Sequence, residues 1–233
     1  NRSEVQTLSV VVTGTNDAPS VTAARTLSLR EDGGTTNLTV TIGDPDSALT
    51  GVTVSVSSSN QNLVPDTNLV FNVTGATGTL TLTPLTNANG AATIRFIASD
   101  DRAAKRTNTL ALVVTAVNDA PEFSLSTNVV AVAKNAGLIR WTNFVTGIAA
   151  GPTNEASQSL TFLVTPANSA FFITQPAITA AGVLAFKTAT NATGTSEISV
   201  VLQDNAGFAL GGTNRSPAQS FTIEVPADSP SPA

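Results

Sequence analysis

Apolar and polar residues alternate with a period of two along most of this chain. Residues 38–42 read Leu-Thr-Val-Thr-Ile, residues 79–82 read Thr-Leu-Thr-Leu, and residues 109–112 read Thr-Leu-Ala-Leu. Successive side chains of an extended strand point to opposite faces, so strict alternation marks a strand buried on one face only. No stretch keeps the three-to-four spacing of an amphipathic helix over a useful length. Between about residues 18 and 119 the pattern predicts seven strands, at 26–29, 38–42, 52–56, 69–73, 79–82, 93–98 and 109–117. Turn-rich breaks separate them at 31–34, 43–46, 74–78 and 87–90. Seven short strands of this kind predict an antiparallel β-sandwich.

The chain repeats itself. Val113-Val114-Thr115-Ala116-Val117-Asn118-Asp119-Ala120-Pro121 echoes Val11-Val12-Thr13-Gly14-Thr15-Asn16-Asp17-Ala18-Pro19, with 102 residues from Asp17 to Asp119. That spacing is the size of one small sandwich, and a fixed period is the signature of tandem modules. Proline restricts both its own backbone and that of the residue before it, so each copy reads as a stiff hinge. A second match lays residues 90–100 over residues 194–204, each opening on glycine and ending on aspartate. The expected organisation is therefore all-β, with two tandem seven-stranded sandwiches at 18–119 and 120–225. Residues 1–17 read as a single closing strand and hinge of a preceding repeat, with strand addition to a neighbouring molecule as the alternative, and residues 226–233 as a proline-rich tail. With no methionine anywhere, Asn1 is not a translation start, and the chain reads as an internal or processed piece.

Composition narrows the function. There is no cysteine and no histidine, which removes disulfides, thiolate metal sites and the commonest general base. A net charge of −5 and a pI near 4.6 argue against nucleic acid and anionic membrane as partners. No apolar run is long enough to span a bilayer. The paired acids Asp100 and Asp101 are a poor acid/base couple, because neighbours on a turn point apart while a glycosidase needs acids facing across a cleft. Aromatics are 5% of residues, short of the exposed face a carbohydrate-binding accessory module normally carries, which is the alternative reading. The lone Trp141 sits among Leu138, Ile139, Phe144 and Val145 and is expected in the core. The Thr79–Thr83 alternation is read as the solvent face of a half-buried strand rather than an ice-binding surface. Asn-x-Ser/Thr triplets at Asn1, Asn37, Asn72, Asn191 and Asn214 are glycosylation acceptors only in a host that performs it.

The Asn-Asp-Ala-Pro hinge, the Glu31-Asp32-Gly33 turn, Asp44-Pro45-Asp46 and the strand-ending Asp100 resemble the cadherin-like, immunoglobulin-like tandem repeats of large bacterial surface proteins. The resemblance covers nearly the whole chain. It implies Greek-key sandwiches in series, export to the cell surface, no catalytic activity, and calcium at the joints between modules.

Where a sandwich places its loops makes that last implication specific. Successive loops alternate between the two ends, so Glu31, Asp32, Asn118, Asp119, Glu155 and Asp204 are expected to converge at the second hinge. Asp17, Asp44, Asp46, Asp100 and Asp101 are expected to crowd the first. Calcium takes six to eight oxygen ligands, and carboxylates and amides are suitable donors. Each of these residues is also an ordinary turn former, since Asp and Asn satisfy local backbone groups. Lys134 replaces the acidic first turn in the second module and disfavours a cation there. The function expected is mechanical and adhesive: a calcium-stiffened extracellular segment. Its candidate partners are neighbouring repeats or subunits and a glycan or other cell-surface target.

Overall fold

The computed structural model describes residues 3–227 and divides the chain into two units, residues 1–116 and 117–233. Residues 228–233 of the expected tail at 226–233, and the triplet at Asn1, lie outside the described residues.

In the first unit eight strands come in order: β1 (Ser20–Thr22), β2 (Thr26–Arg30), β3 (Thr36–Gly43), β4 (Thr53–Ser58), β5 (Leu69–Thr74), β6 (Thr77–Leu82), β7 (Gly90–Ser99) and β8 (Lys105–Thr115). They form two four-stranded sheets, β1-β3-β6-β5 and β2-β8-β7-β4. All neighbours are antiparallel except β2 and β8, which run parallel with Thr26 opposite Ala111 and Arg30 opposite Thr115. The seven expected strands are present. The addition is β1: the first strand is split, one part joining each sheet. At the β5–β6 turn Gly75 has φ +61° and Ala76 does not share it, the arrangement that suits a two-residue hairpin to the twist of its strands.

Alternation does what it predicted. Val40, Ile42, Leu80 and Leu82 from one sheet meet Ile94, Phe96, Leu110 and Leu112 from the other, each at most 2% exposed. Burying one such side chain contributes about 1.5–3 kcal/mol.

The second unit repeats the plan with changes. Its strands are β9 (Glu122–Leu125), β10 (Val129–Ala131), β11 (Ile139–Trp141), β12 (Val145–Ala149), β13 (Leu160–Pro166), β14 (Phe172–Ile178), β15 (Leu184–Thr188), β16 (Gly194–Asp204) and β17 (Gln219–Val225). One sheet runs β10-β17-β16-β13, again with a parallel pair, β10 on β17. Opposite it lie β11-β15-β14 and the pair β12-β9. β11 and β12 together occupy the place of β3, broken at Asn143, whose φ is +56°. The core is more aromatic than that of the first unit. Phe144, Phe186 and Phe221 are at most 2% exposed, and the rings of Phe144 and Phe221 pack edge-on with centroids 4.7 Å apart.

Residues 3–19 belong to no strand, although 7–13 alternate; a strand needs a hydrogen-bonded neighbour, and the described chain supplies none. One expectation is corrected: Trp141 is 40% exposed rather than buried. It lies on the short β11 beside the break and touches Phe144 only edge-on, at 5.7 Å between centroids. Among the described residues no helix is long and apolar enough to cross a membrane.

Candidate functional site

Each unit has a leading end, where the chain enters it, and the acids gather there by topology. In the first unit Asp100 ends β7 and the loop after β3 carries Asp44 and Asp46, so both loops open at the end where Asn16 and Asp17 arrive. The Asn16 amide Nδ2 donates to Asp100 Oδ2 at 2.8 Å. The other oxygen, Oδ1, accepts the backbone N–H groups of Arg102 (2.9 Å) and Ala104 (2.8 Å). Arg102 reaches back to Asn16 Oδ1 at 3.2 Å. These donors, the Asn16 amide foremost, hold the Asp100 carboxyl below the usual carboxylate range, while burial opposes them.

Beside this latch the remaining acids form an open cluster. Asp46 Oδ2 accepts the Asp17 N–H at 3.1 Å. Asp44 Oδ1 accepts the N–H groups of Asp46 (3.1 Å) and Ser47 (2.7 Å), and the Ser47 hydroxyl donates to Asp101 at 3.3 Å. Asp44 Oδ2 is buried with no hydrogen-bond donor. Asp100 and Asp101 do point to different partners, as two adjacent turn residues should.

Glu31 and Asp32 sit at the opposite end of the same unit. Parallel pairing sets Arg30 beside Thr115, so Glu31 comes after β2 where β8 finishes, and its N–H donates to Thr115 O at 3.0 Å. Glu31 is 2% exposed and accepts from Asn89 Nδ2 at 3.1 Å. Asp32, at φ +56°, accepts the Asn87 N–H at 2.9 Å.

In the second unit the latch recurs. Asn118 Nδ2 donates to Asp204 Oδ2 at 3.2 Å and to the Thr213 carbonyl at 2.6 Å. Its own Oδ1 accepts Gln158 Nε2 at 2.9 Å. Asp204 Oδ1 takes the Ala206 N–H at 2.8 Å. Glu155, in the 3-10 turn Thr153–Glu155, accepts the Asp119 N–H at 3.2 Å through Oε1. Glycine is required beside Asn118, because a Cβ on Gly212 would stand 2.9 Å from the Asn118 backbone N and O. Here the carboxylates are interior: Asp204 is 3% exposed and Glu155 is 7%.

Every expected site residue of the second unit, Asn118, Asp119, Glu155 and Asp204, is thus drawn to one end of that unit, and Asp17, Asp44, Asp46, Asp100 and Asp101 to one end of the first. Glu31 and Asp32 both bond to the loop that carries Asn87 and Asn89. Among the participants that escaped the sequence reading are Asn16, Asn89, Gln158 and the Thr213 carbonyl. Asn16 had a signal, as the first half of the repeated Asn-Asp pair; the others had none beyond being polar in a turn.

Hard oxygens are the donors calcium prefers, and the undonated Asp44 Oδ2 fits a cation ligand. Most other carboxylate oxygens here accept N–H groups, and among the described residues no three acids stand close enough to hold a metal by themselves. A cation would have to draw also on amide and backbone oxygens. Among the described residues the exposed aromatics are Trp141, on β11, and Phe208, in the loop after β16.

Comparison with solved structures bears on the architecture. The crystal structure of human protocadherin-24 EC1-2, form II, matches with a TM-score of 0.55 at 18% identity, over 90% of this chain and 99% of that one. The fold is cadherin-like. A second human protocadherin-24 EC1-2 structure matches at 0.50 and 18% identity, over 93% of this chain and 100% of that one. Drosophila N-cadherin EC1-4 matches at 0.54 and 12%, over 91% of this chain and 50% of that one. No protein-family model matches, and no curated protein is similar.

Proposed function

We propose that the chain is a non-enzymatic structural and adhesive segment of an extracellular protein, and on the sequence resemblance that this is a bacterial surface protein or filament. Its partners are neighbouring repeats or subunits and a cell-surface target. The observation that carries the reading is the duplicated latch, Asn16 on Asp100 and Asn118 on Asp204. A hydrogen bond repeated module by module suits a chain whose job is to hold its modules in register.

The finer reading places calcium at the acid-rich ends, where Asp44, Asp46 and Asp101 in the first unit, or Asp119 and Glu155 in the second, supply oxygens. Bound there, the ion neutralises carboxylates that otherwise repel and stiffens the chain where one module gives way to the next. Calcium titration by calorimetry after chelation tests it. The expected result is binding in the range of extracellular modules, about 0.1–1 mM, weakened at least about tenfold by Asp44→Asn with Asp46→Asn. Small-angle scattering should show a shorter or more flexible particle in chelator. No heat and no change in scattering remove calcium and leave the structural role standing.

A further inference from the structure

The acids of the first unit all lie outside its strands, and one of its two sheets has a face of the opposite sign. Strands β2, β4, β7 and β8 contain no aspartate or glutamate, yet carry Arg30, Arg95, Lys105 and Arg106. Alternation decides where these point. Leu29 on β2, Ile94 and Phe96 on β7 and Leu110 on β8 pack into the core. Arg30, Arg95 and Lys105 therefore stand on the outward face, with Thr93, Thr107 and Thr109.

The corresponding sheet of the second unit shows that the fold does not impose this charge. There β16 puts Glu197 where β7 has Thr93 and Ser199 where it has Arg95, and Glu224 lies on the neighbouring β17. Its four strands, β10, β17, β16 and β13, contain no lysine or arginine.

Two adjoining depressions lie on the basic face. The larger, of about 480 Å³, is lined by Arg25, in the bend before β2, and by Thr93, Thr107 and Thr109. The smaller, of about 270 Å³, is lined by Arg95 and by Ser57, Ser58 and Ser59. Thr93 and Thr109 border both, so the two form one groove across β8 and β7. Each half sets one guanidinium among hydroxyls. Both arginines are exposed, and among the described residues neither guanidinium has a hydrogen bond or ion pair.

A guanidinium is a planar fork of donors that suits a carboxylate or sulfate, and a hydroxyl both gives and takes a hydrogen bond. The ligand that satisfies this set is a chain of hydroxyl groups with an anion at intervals. A nucleic acid fits less well, because Phe96 is the one aromatic on these four strands and it is buried, leaving no ring for a base to stack on. We infer that the groove binds an acidic polysaccharide, with Arg25 and Arg95 holding its carboxylate or sulfate groups and Thr93, Thr109 and the serines at 57–59 its hydroxyls. The inference rests on the adhesive reading proposed above and gives the surface target a chemistry.

The test is calorimetric titration of the whole chain with oligogalacturonate, for the carboxylate, and with sulfated dextran, for the sulfate. Chelator is present throughout, so that no calcium bridges acid to acid. At least one acidic glycan should bind, and neutral dextran should not. Arg25→Gln with Arg95→Gln should weaken that binding at least about tenfold, with the melting temperature unchanged. Arg140→Gln with Lys187→Gln removes the same charge from the second unit and should leave the affinity as it was. Four results overturn the proposal: no binding of either acidic glycan, equal losses in the two double variants, binding that needs calcium, or tighter binding of a thymidine oligonucleotide. Adhesion of the labelled chain to cells separates the two readings. Adhesion that is indifferent to the two arginines removes the groove and keeps the adhesive role, whereas glycan binding without adhesion to any cell keeps the groove and removes that role.

Discussion

The same latch is set in two different surroundings. In the first unit Asn16 holds Asp100 next to an arginine, and the neighbouring Asp46 and Asp101 lie open to water. In the second unit Asn118 is enclosed by Gln158, the Thr213 carbonyl and Gly212, with Asp204 and Glu155 buried behind it. The cores differ in the same sense. Two of the ten phenylalanines are in the first unit, Phe71 and Phe96, and eight in the second. One β-sandwich plan thus tolerates a branched-aliphatic core with an open acidic end, or an aromatic core with a closed, amide-lined end. The motif fixes the joint, while the surrounding loops decide whether its acids face solvent or the interior.

The largest effect should come from the aromatic core. Phe144 is wholly buried and touches Trp141 and Phe221. Phe144→Ala is expected to cost about 3–5 kcal/mol. Trp141 is the only tryptophan, so its fluorescence during denaturation reads the second unit alone. An unchanged midpoint would mean that this ring cluster does not hold the unit together.

A smaller effect distinguishes the two leading ends. Asp204→Ala leaves the Asn118 amide and the Ala206 N–H short of an acceptor in a buried site, expected to cost about 1–3 kcal/mol by the same fluorescence. Asp46→Ala removes an exposed acceptor and should shift the first unit by less than about 0.5 kcal/mol, read from amide exchange in β7 and β8. Equal losses would erase the distinction between closed and open ends.

The subtlest effect is on acid sensitivity. Asp100 and Asp66 are both held below the usual carboxylate range, Asp66 first by the Gln61 side chain and then by the Ser58 N–H. Both lie in the first unit. A carboxyl depressed in the folded state contributes stability that is fully present above its unfolded value, about 3.9, and is lost as pH falls through the folded value. The urea midpoint of the first unit should therefore hold from pH 7 to about 5 and drop towards pH 3. Asn16→Ala removes the main donor to Asp100 and should make that drop shallower. An unaltered profile would show that the latch does not tune this carboxyl.

Much of the fold could be read beforehand because alternation is a local code. It names which residues face inward, and β3, β6 and, from Ala91 on, β7 obey it residue by residue. It does not say whether a sheet is there to face. Residues 7–13 carry the code and form no strand, and Trp141 sits in an apolar stretch yet stays 40% exposed where β11 stops early. The break at Asn143 was likewise unreadable, since asparagine suits a turn without requiring one. At the acids, the spacing of Asp17 and Asp119 gave away the joint, because a hinge repeats with its module. The buried state of Glu31 and Asp204 did not show, since burial depends on loops far away in sequence. Gln158 illustrates the limit: only the fold brings it, 40 residues on, to the Asn118 amide.

The parallel pairing of β2 with β8 carries a mechanical consequence. Tension applied at the start of β2 and the end of β8 pulls the two strands in opposite directions along their length, so their hydrogen bonds are loaded together in shear instead of being unzipped singly. The first unit sets five residue pairs against such a pull and the second, through β10 and β17, three. Stretched from its two ends, the chain should yield in its aromatic half first.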